Sequence, residues 1–147
     1  MINLYTDGSC SGTPGPGGWR YVLEYGETRK VGRDGATHTT NNRMELMAVI
    51  CGLHAIKDKS IPVTVHSDSE YIVKGMNEWR HDWKAKGWKN SRGQDVSNRD
   101  LWEHLDHQIK GFKSVTFLWV KAHNGHSWNE FADEIAREGT EIAKQLF

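Results

Sequence analysis

The sequence predicts an α/β fold: one mixed sheet in which an antiparallel meander joins parallel strands, with helices covering both faces. Three observations carry this. The element order reads β-β-β-α-β-α-α-α-β-α, strands first and then strands alternating with helices. The helix expected over 42–56 is apolar almost all round, so it must be buried against a sheet. Two apolar strands end alike, one on Asp7-Gly8-Ser9 and the other on Asp68-Ser69-Glu70.

Residues 2–6 read as the first strand, followed by a Gly/Pro-rich turn over 12–18. Residues 19–25 and 28–32 form a hairpin pair, the second strand running toward His38. After the buried helix, 62–66 is a short β-branched strand, and 69–75 a helix on its C-terminal side. Helices over 77–86 and 98–109 follow, separated by a loop over 90–96. Residues 115–120 make a last strand and 127–145 a final amphipathic helix. Repeats, low-complexity tracts and linkers are absent, so one domain over 1–147 is expected.

A chain of 147 residues suffices for one domain with a proper core. Hydrophobic residues make up 37% and charged residues 26%, with a mean hydropathy of −0.70. That is the composition of a soluble globular protein. No apolar run reaches spanning length, and residues 1–10 lack the pattern of a signal peptide, so a cytoplasmic protein without a membrane partner is expected. Cys10 and Cys51 have no metal-type spacing and read as free thiols.

The formal net charge is +0 and the pI about 7.1, so whole-chain charge does not announce a nucleic-acid binder. The distribution is more informative. Lys74, Arg80, Lys84, Lys86, Lys89 and Arg92 face only Glu78 and Asp82 in the middle, while the tail is acidic. A charge run taken alone reads as a solvated face.

Acidic residues at the ends of apolar strands sit where sheet proteins place ligand sites, although either Asp alone also reads as a turn former or helix cap. Glu45 is the only charge between Met44 and Leu53, and Asn42-x-x-Glu45 fits a capping box. A cap and a metal ligand both put that carboxylate at the helix N-terminus. Asp133 lies one turn after Asn129 on the last helix, just beyond a Gly-containing loop with His123 and His126. Such a loop can hold an imidazole near a site, and histidine titrates in the useful range. With no thiol or paired-His ligands, an acidic oxygen set suits magnesium or manganese and points away from zinc.

Laid out together, these residues make the chain resemble type 1 ribonuclease H of the bacterial kind, from Tyr5 to about Arg137. The resemblance is carried by Thr6-Asp7-Gly8-Ser9-Cys10, by Gly12-Thr13-Pro14-Gly15-Pro16-Gly17-Gly18 and by Thr39-Thr40-Asn41-Asn42-Arg43-Met44-Glu45-Leu46. Ser67-Asp68-Ser69-Glu70-Tyr71, Trp79, Trp83, Gly87-Trp88-Lys89, Asn98 and Asp100-Leu101-Trp102 continue it. Trp119-Val120-Lys121-Ala122-His123-Asn124-Gly125-His126, Asn129, Glu130 and Ala132-Asp133 complete it. Several spaced motifs in one order are far more specific than any one of them.

The resemblance implies a ribonuclease H-like fold, a five-stranded mixed sheet of three antiparallel and two parallel strands with helices on both faces. It implies an endonuclease that hydrolyses the RNA strand of RNA–DNA hybrids and leaves 5′-phosphate and 3′-hydroxyl ends. Asp7, Glu45, Asp68 and Asp133 would hold two Mg2+ ions, with Mn2+ able to substitute, and His123 would assist proton movement or product departure. Cys10, Asn41, Asn42 and Glu45 would read RNA 2′-hydroxyls, and Thr40 and Asn98 a DNA-strand phosphate. The basic segment with Trp79, Trp83, Lys84, Lys86, Trp88 and Lys89 would hold the DNA strand, although core packing is the simpler reading for part of each tryptophan.

Three positions depart from the family pattern. Thr13 stands where Asn is usual and Glu70 where Gln is usual, both facing the RNA strand in relatives. His38 occupies a place often held by Arg beside the DNA-phosphate pocket. The competing readings are a non-catalytic hybrid-binding module, another nuclease of the same fold, or a domain cut from a reverse transcriptase. Met1 lying close to Tyr5, and a chain ending soon after the last helix, favour a free-standing protein, and a monomer is expected.

Overall fold

The structure, a computed structural model, describes residues 1–121 and 146–147. Its elements are β1 (Ile2–Cys10), β2 (Gly15–Tyr25), β3 (Thr28–Thr39), α1 (Asn41–His54), β4 (Val63–Ser67), α2 (Glu70–Lys74), a π-helical turn (Gly75–Trp79), α3 (Arg80–Ala85), α4 (Arg99–Ile109) and β5 (Val115–Trp119). The sheet order is β3-β2-β1-β4-β5. β3, β2 and β1 run antiparallel, whereas β1, β4 and β5 run parallel. This is the expected five-stranded mixed sheet. The helix expected over 127–145, with His123 and Asp133, lies outside the described residues.

The first strand is longer than its sequence signal. Its parallel ladder with β4 stops at Tyr5↔His66, but its antiparallel ladder with β2 continues to Cys10↔Gly17. The turn expected over 12–18 is correspondingly short, because Gly17 and Gly18 are strand residues. A ladder needs only backbone groups, so a glycine-rich stretch can complete it while showing no β propensity.

Strand alternation separates two faces. Ile2 and Leu4 of β1, Val63 and Val65 of β4 and Phe117 of β5 are buried, and α1, α2 and α4 close over them with Leu46, Val49, Leu53, Ile72, Trp102 and Leu105. On the opposite face the Tyr5 ring stacks on His66 at 4.6 Å between centroids, and His66 Nε2 lies 2.9 Å from Asn3 Oδ1. No helix among the described residues is long and apolar enough to cross a membrane.

The helices expected over 69–75 and 77–86 meet without a loop, joined by the π-helical turn. Gly75 opens that turn beneath the Trp102 ring, where a Cβ would come within 2.2 Å of Cη2. The close approach lets the following segment, with its tryptophans, fold back onto α4.

Candidate active site

Asp7 lies two residues beyond the last parallel pair of β1, and Asp68 directly follows the last residue of β4. Two neighbouring parallel strands thus deliver a carboxylate each at their carboxyl ends. The Asp68 loop is tied to the end of β5: Val120 N donates to the Ser67 carbonyl at 2.9 Å, and Trp119 Nε1 to the Asp68 carbonyl at 3.2 Å. Asp68 does not provide the side-chain cap of α2; that cap is Ser69, whose hydroxyl accepts from Ile72 N at 3.3 Å.

The third carboxylate comes from α1, and Gly8 determines how closely it can approach. A Cβ on Gly8 would lie 2.4 Å from the Met44 carbonyl carbon and 2.6 Å from Glu45 N. Only a residue without a side chain lets the first turns of the helix press against β1. Gly8 N then donates to Glu45 Oε1 at 2.8 Å. This overturns the capping-box reading of Asn42-x-x-Glu45. Thr40 caps α1 instead, accepting from Arg43 N at 3.3 Å, and Glu45 reaches across to the strand.

Asp7, Glu45 and Asp68 each offer an oxygen within 4.8 Å of the others. Glu45 is buried, and its Oε2 has no hydrogen-bond partner among the described residues. Burial first, then the Asp68 charge, push its carboxyl up to about 8; Asp7 adds to the rise and the Gly8 amide opposes it. A buried carboxyl in a group of three carboxylates, with one oxygen that no described residue donates to, is the surrounding that a hard divalent cation satisfies. The donor set therefore fits magnesium or manganese. Asp133 and His123 fall outside the described residues.

The residues expected to meet the substrate lie around this cluster. Cys10 Sγ is 3.3 Å from the carbonyl oxygens of Gly12 and Gly15 and 3.2 Å from that of Thr39, which directs the thiol to the turn backbone. Asn41 and Asn42 are exposed in the first turn of α1, and Thr13 and His38 are exposed nearby in sequence. Exposed Glu70 pairs with Lys74 at 3.6 Å, so its charge is partly answered within α2. Asn98 sits in the left-handed region (φ 61°) at the start of α4, its Oδ1 accepting from Arg43 at 3.3 Å and its Nδ2 donating to the Tyr71 hydroxyl at 3.1 Å. Arg43 also grips Asp100 with two nitrogens, at 3.0 and 2.8 Å. Arg43 and Tyr71 thus set the direction of Asn98, a role the sequence reading missed.

The basic segment is less open than its composition suggests. Lys84 lies 3.2 Å from Asp106, a buried carboxylate that Arg80 also holds at 2.8 Å. Lys89 pairs with Asp95 at 2.5 Å. Lys86 is exposed and makes no ion pair among the described residues. Trp83 and Trp88 are half-buried against the core, 6.4 Å apart between ring centroids, and the Trp83 and Trp102 rings are 5.2 Å apart. Trp79 is the exposed one. Core packing therefore holds two of these tryptophans in place, and ion pairs hold two of the lysines.

A family model for RNase H matches residues 1–141. The chain belongs to the ribonuclease H family. As a member it is an enzyme, an endoribonuclease hydrolase. Ribonuclease H of Rhodospirillum rubrum is 49% identical over 144 residues, covering 98% of this chain and 86% of the relative. LC9-RNase H1, a type 1 RNase H with the type 2 active-site motif, superposes with a TM-score of 0.77 at 35% identity, over 94% of this chain and 72% of that one. LC11-RNase H1, solved in complex with an RNA/DNA hybrid, shares the fold at a TM-score of 0.68 and 22% identity, over 91% of this chain and 95% of that one. The acidic cluster at the strand ends is thus the candidate active site of this ribonuclease H.

Proposed function

We propose that this ribonuclease H cuts the RNA strand of RNA–DNA hybrids, with two divalent metal ions held by Asp7, Glu45, Asp68 and Asp133. The observation that carries the reading is the meeting of three carboxylates from β1, α1 and the loop after β4, one of them buried with an oxygen that has no partner among the described residues. Water adds to phosphorus in line with the 3′ oxygen, and the P–O3′ bond breaks to leave 5′-phosphate and 3′-hydroxyl ends. When bound, two ions supply positive charge at both the attacking and the leaving oxygen. The chain's own groups do the rest. Gly8 N holds the Glu45 carboxyl through one oxygen, and His123 carries a proton to or from the reacting oxygens.

Selection of the substrate falls to groups around the cluster. Cys10, Asn41, Asn42 and Glu45 read the 2′-hydroxyls, which distinguish RNA from DNA in a wide, shallow minor groove. Thr40 and Asn98, with His38 beside them, receive a phosphate of the DNA strand, and the Trp79–Lys89 segment rests on that strand through Lys86, Lys84, Lys89 and the Trp79, Trp83 and Trp88 rings. Thr13 and Glu70 lie toward the RNA strand.

The strand assignment is tested by replacing about four consecutive ribonucleotides around a mapped cut site with deoxynucleotides. Cutting there should disappear, because the 2′-hydroxyl readout is gone while charge and shape are nearly kept. Unchanged cutting at those positions would refute the RNA-strand reading.

A further inference from the structure

The π-helical turn Gly75–Trp79 is closed by a bond from Arg80 N to Gly75 O. That bond spans five residues where an α-helix spans four, so the turn holds one residue more than a regular helix would. The extra residue rotates all that follows by about 100° around the axis. Turns of this kind are rare and concentrate at functional sites. Trp79 is the last residue of the turn, and it is 38% exposed. Its ring stands between those of Tyr71 and Trp83, 6.2 and 5.8 Å away between centroids.

Local preference alone would continue the α-helix, so tertiary contacts must hold the turn. Gly75, by admitting the Trp102 ring, is one of them. Arg80, directly after Trp79, is the other. Its Nε donates to Met76 O inside the turn at 3.1 Å, and its Nη1 to Asp106 Oδ1 on α4 at 2.8 Å. The Asp106 side chain is only 6% exposed, with Lys84 at 3.2 Å and Lys110 at 3.7 Å on its other oxygen. Burial pushes its carboxyl up, but the hydrogen bonds from Arg80 and Lys84 outweigh that and hold it below the ordinary value. A buried carboxylate gripped by a guanidinium fixes geometry far better than an exposed pair does. Successive residues of a helix point about 100° apart. With Arg80 drawn inward to Asp106, the Trp79 ring is kept at the surface.

We infer that Arg80 and Asp106 are positioning residues for hybrid binding: their buried pair locks the π-helical turn and so holds the Trp79 ring where the DNA strand reaches it. The inference rests on the reading of the Trp79–Lys89 segment given above. The charge of Arg80 is answered by Asp106, so its effect on the substrate passes through Trp79 and not through a phosphate.

The test is a double-mutant cycle of Arg80→Met and Trp79→Ala, with Arg80→Lys beside it. Methionine keeps the apolar stem of Arg80 and removes both hydrogen bonds. Hybrid binding is followed by fluorescence anisotropy in chelator over a range of salt, and steady-state cleavage in magnesium. Arg80→Met should raise Kd and KM for hybrid about three- to ten-fold and keep turnover at saturating hybrid within about two-fold. The slope of log affinity against log salt should not change. In the Trp79→Ala background the same substitution should alter Kd by less than about two-fold, because the ring it positions is gone. Arg80→Lys offers one nitrogen in place of the fork, so it should show the same coupling with a smaller loss. It decides the matter should Arg80→Met fail to fold, which circular dichroism reports. Unchanged binding in both Arg80 variants overturns the inference, as does an equal loss with and without Trp79, or a Trp79→Ala variant that binds as the unaltered protein does. A slope lowered by about 1 also overturns it, since Arg80 would then contact a phosphate directly. If the unaltered protein binds hybrid without cutting it, the functional reading fails while the binding cycle still decides the positioning.

Discussion

Asp7→Asn should leave the protein folded and able to bind hybrid, yet lower cleavage on the order of a thousand-fold or more. A cation at a reacting phosphate is worth several kcal/mol of charge stabilisation, and each 1.36 kcal/mol is about tenfold in rate. The substitution keeps the shape of the side chain and removes one of three carboxylates lying within 4.8 Å of one another. The metal-free fold therefore loses a repulsion and no core contact. The same change should lower the Glu45 pKa, because the Asp7 charge is one of the causes of its rise. Turnover within a few-fold of the unaltered protein, with the variant shown folded by its circular dichroism, would remove Asp7 from the metal site.

The second large effect is a coupling between protons and metal at Glu45. Its carboxyl, pushed up to about 8 from an ordinary 4.5, is protonated at neutral pH when no cation is present. A divalent ion must displace that proton. Apparent magnesium affinity, measured by titration calorimetry, should therefore rise about tenfold per pH unit toward pH 8 and flatten above it. Stability of the metal-free protein follows the opposite course. The folded state binds the Glu45 proton more tightly than the unfolded chain does, so this contribution is fully present below pH 4.5 and is lost as pH rises through about 8. Magnesium should restore stability most at the alkaline end. An affinity that stays flat between about pH 6 and pH 8 would show that Glu45 is already ionised and that its burial has been overstated.

The parts of this enzyme most legible in sequence are those written in side-chain pattern. The apolar helix around Leu46, Val49 and Leu53, the β-branched strand at Val63 and Val65, and the Asp7 and Asp68 strand ends all carry their own signal. Features made by backbone approach were hidden. The pairing of Gly17 and Gly18 with Cys10 and Ser9 has no hydrophobic period. The hydrogen bond from Gly8 N to Glu45 joins residues far apart in the chain, so a local capping box looked equally good. The pairing of Asp7 with Arg20 needs the strand register, and one residue of slip would put every side chain on the other face. Charge neutralisation is hidden in the same way: Lys84 meets Asp106 only because α4 folds back beside α3.

The most direct measurement is cleavage of an RNA–DNA hybrid labelled on either strand, beside duplex RNA, single-stranded RNA and duplex DNA, each with and without magnesium. Only the RNA strand of the hybrid should be cut, only when magnesium is present, and the fragments should carry 5′-phosphate and 3′-hydroxyl ends. Cutting of the DNA strand, or cutting of the hybrid in chelator at a rate comparable to that in magnesium, would contradict a metal-dependent, RNA-directed site built on Asp7, Glu45 and Asp68.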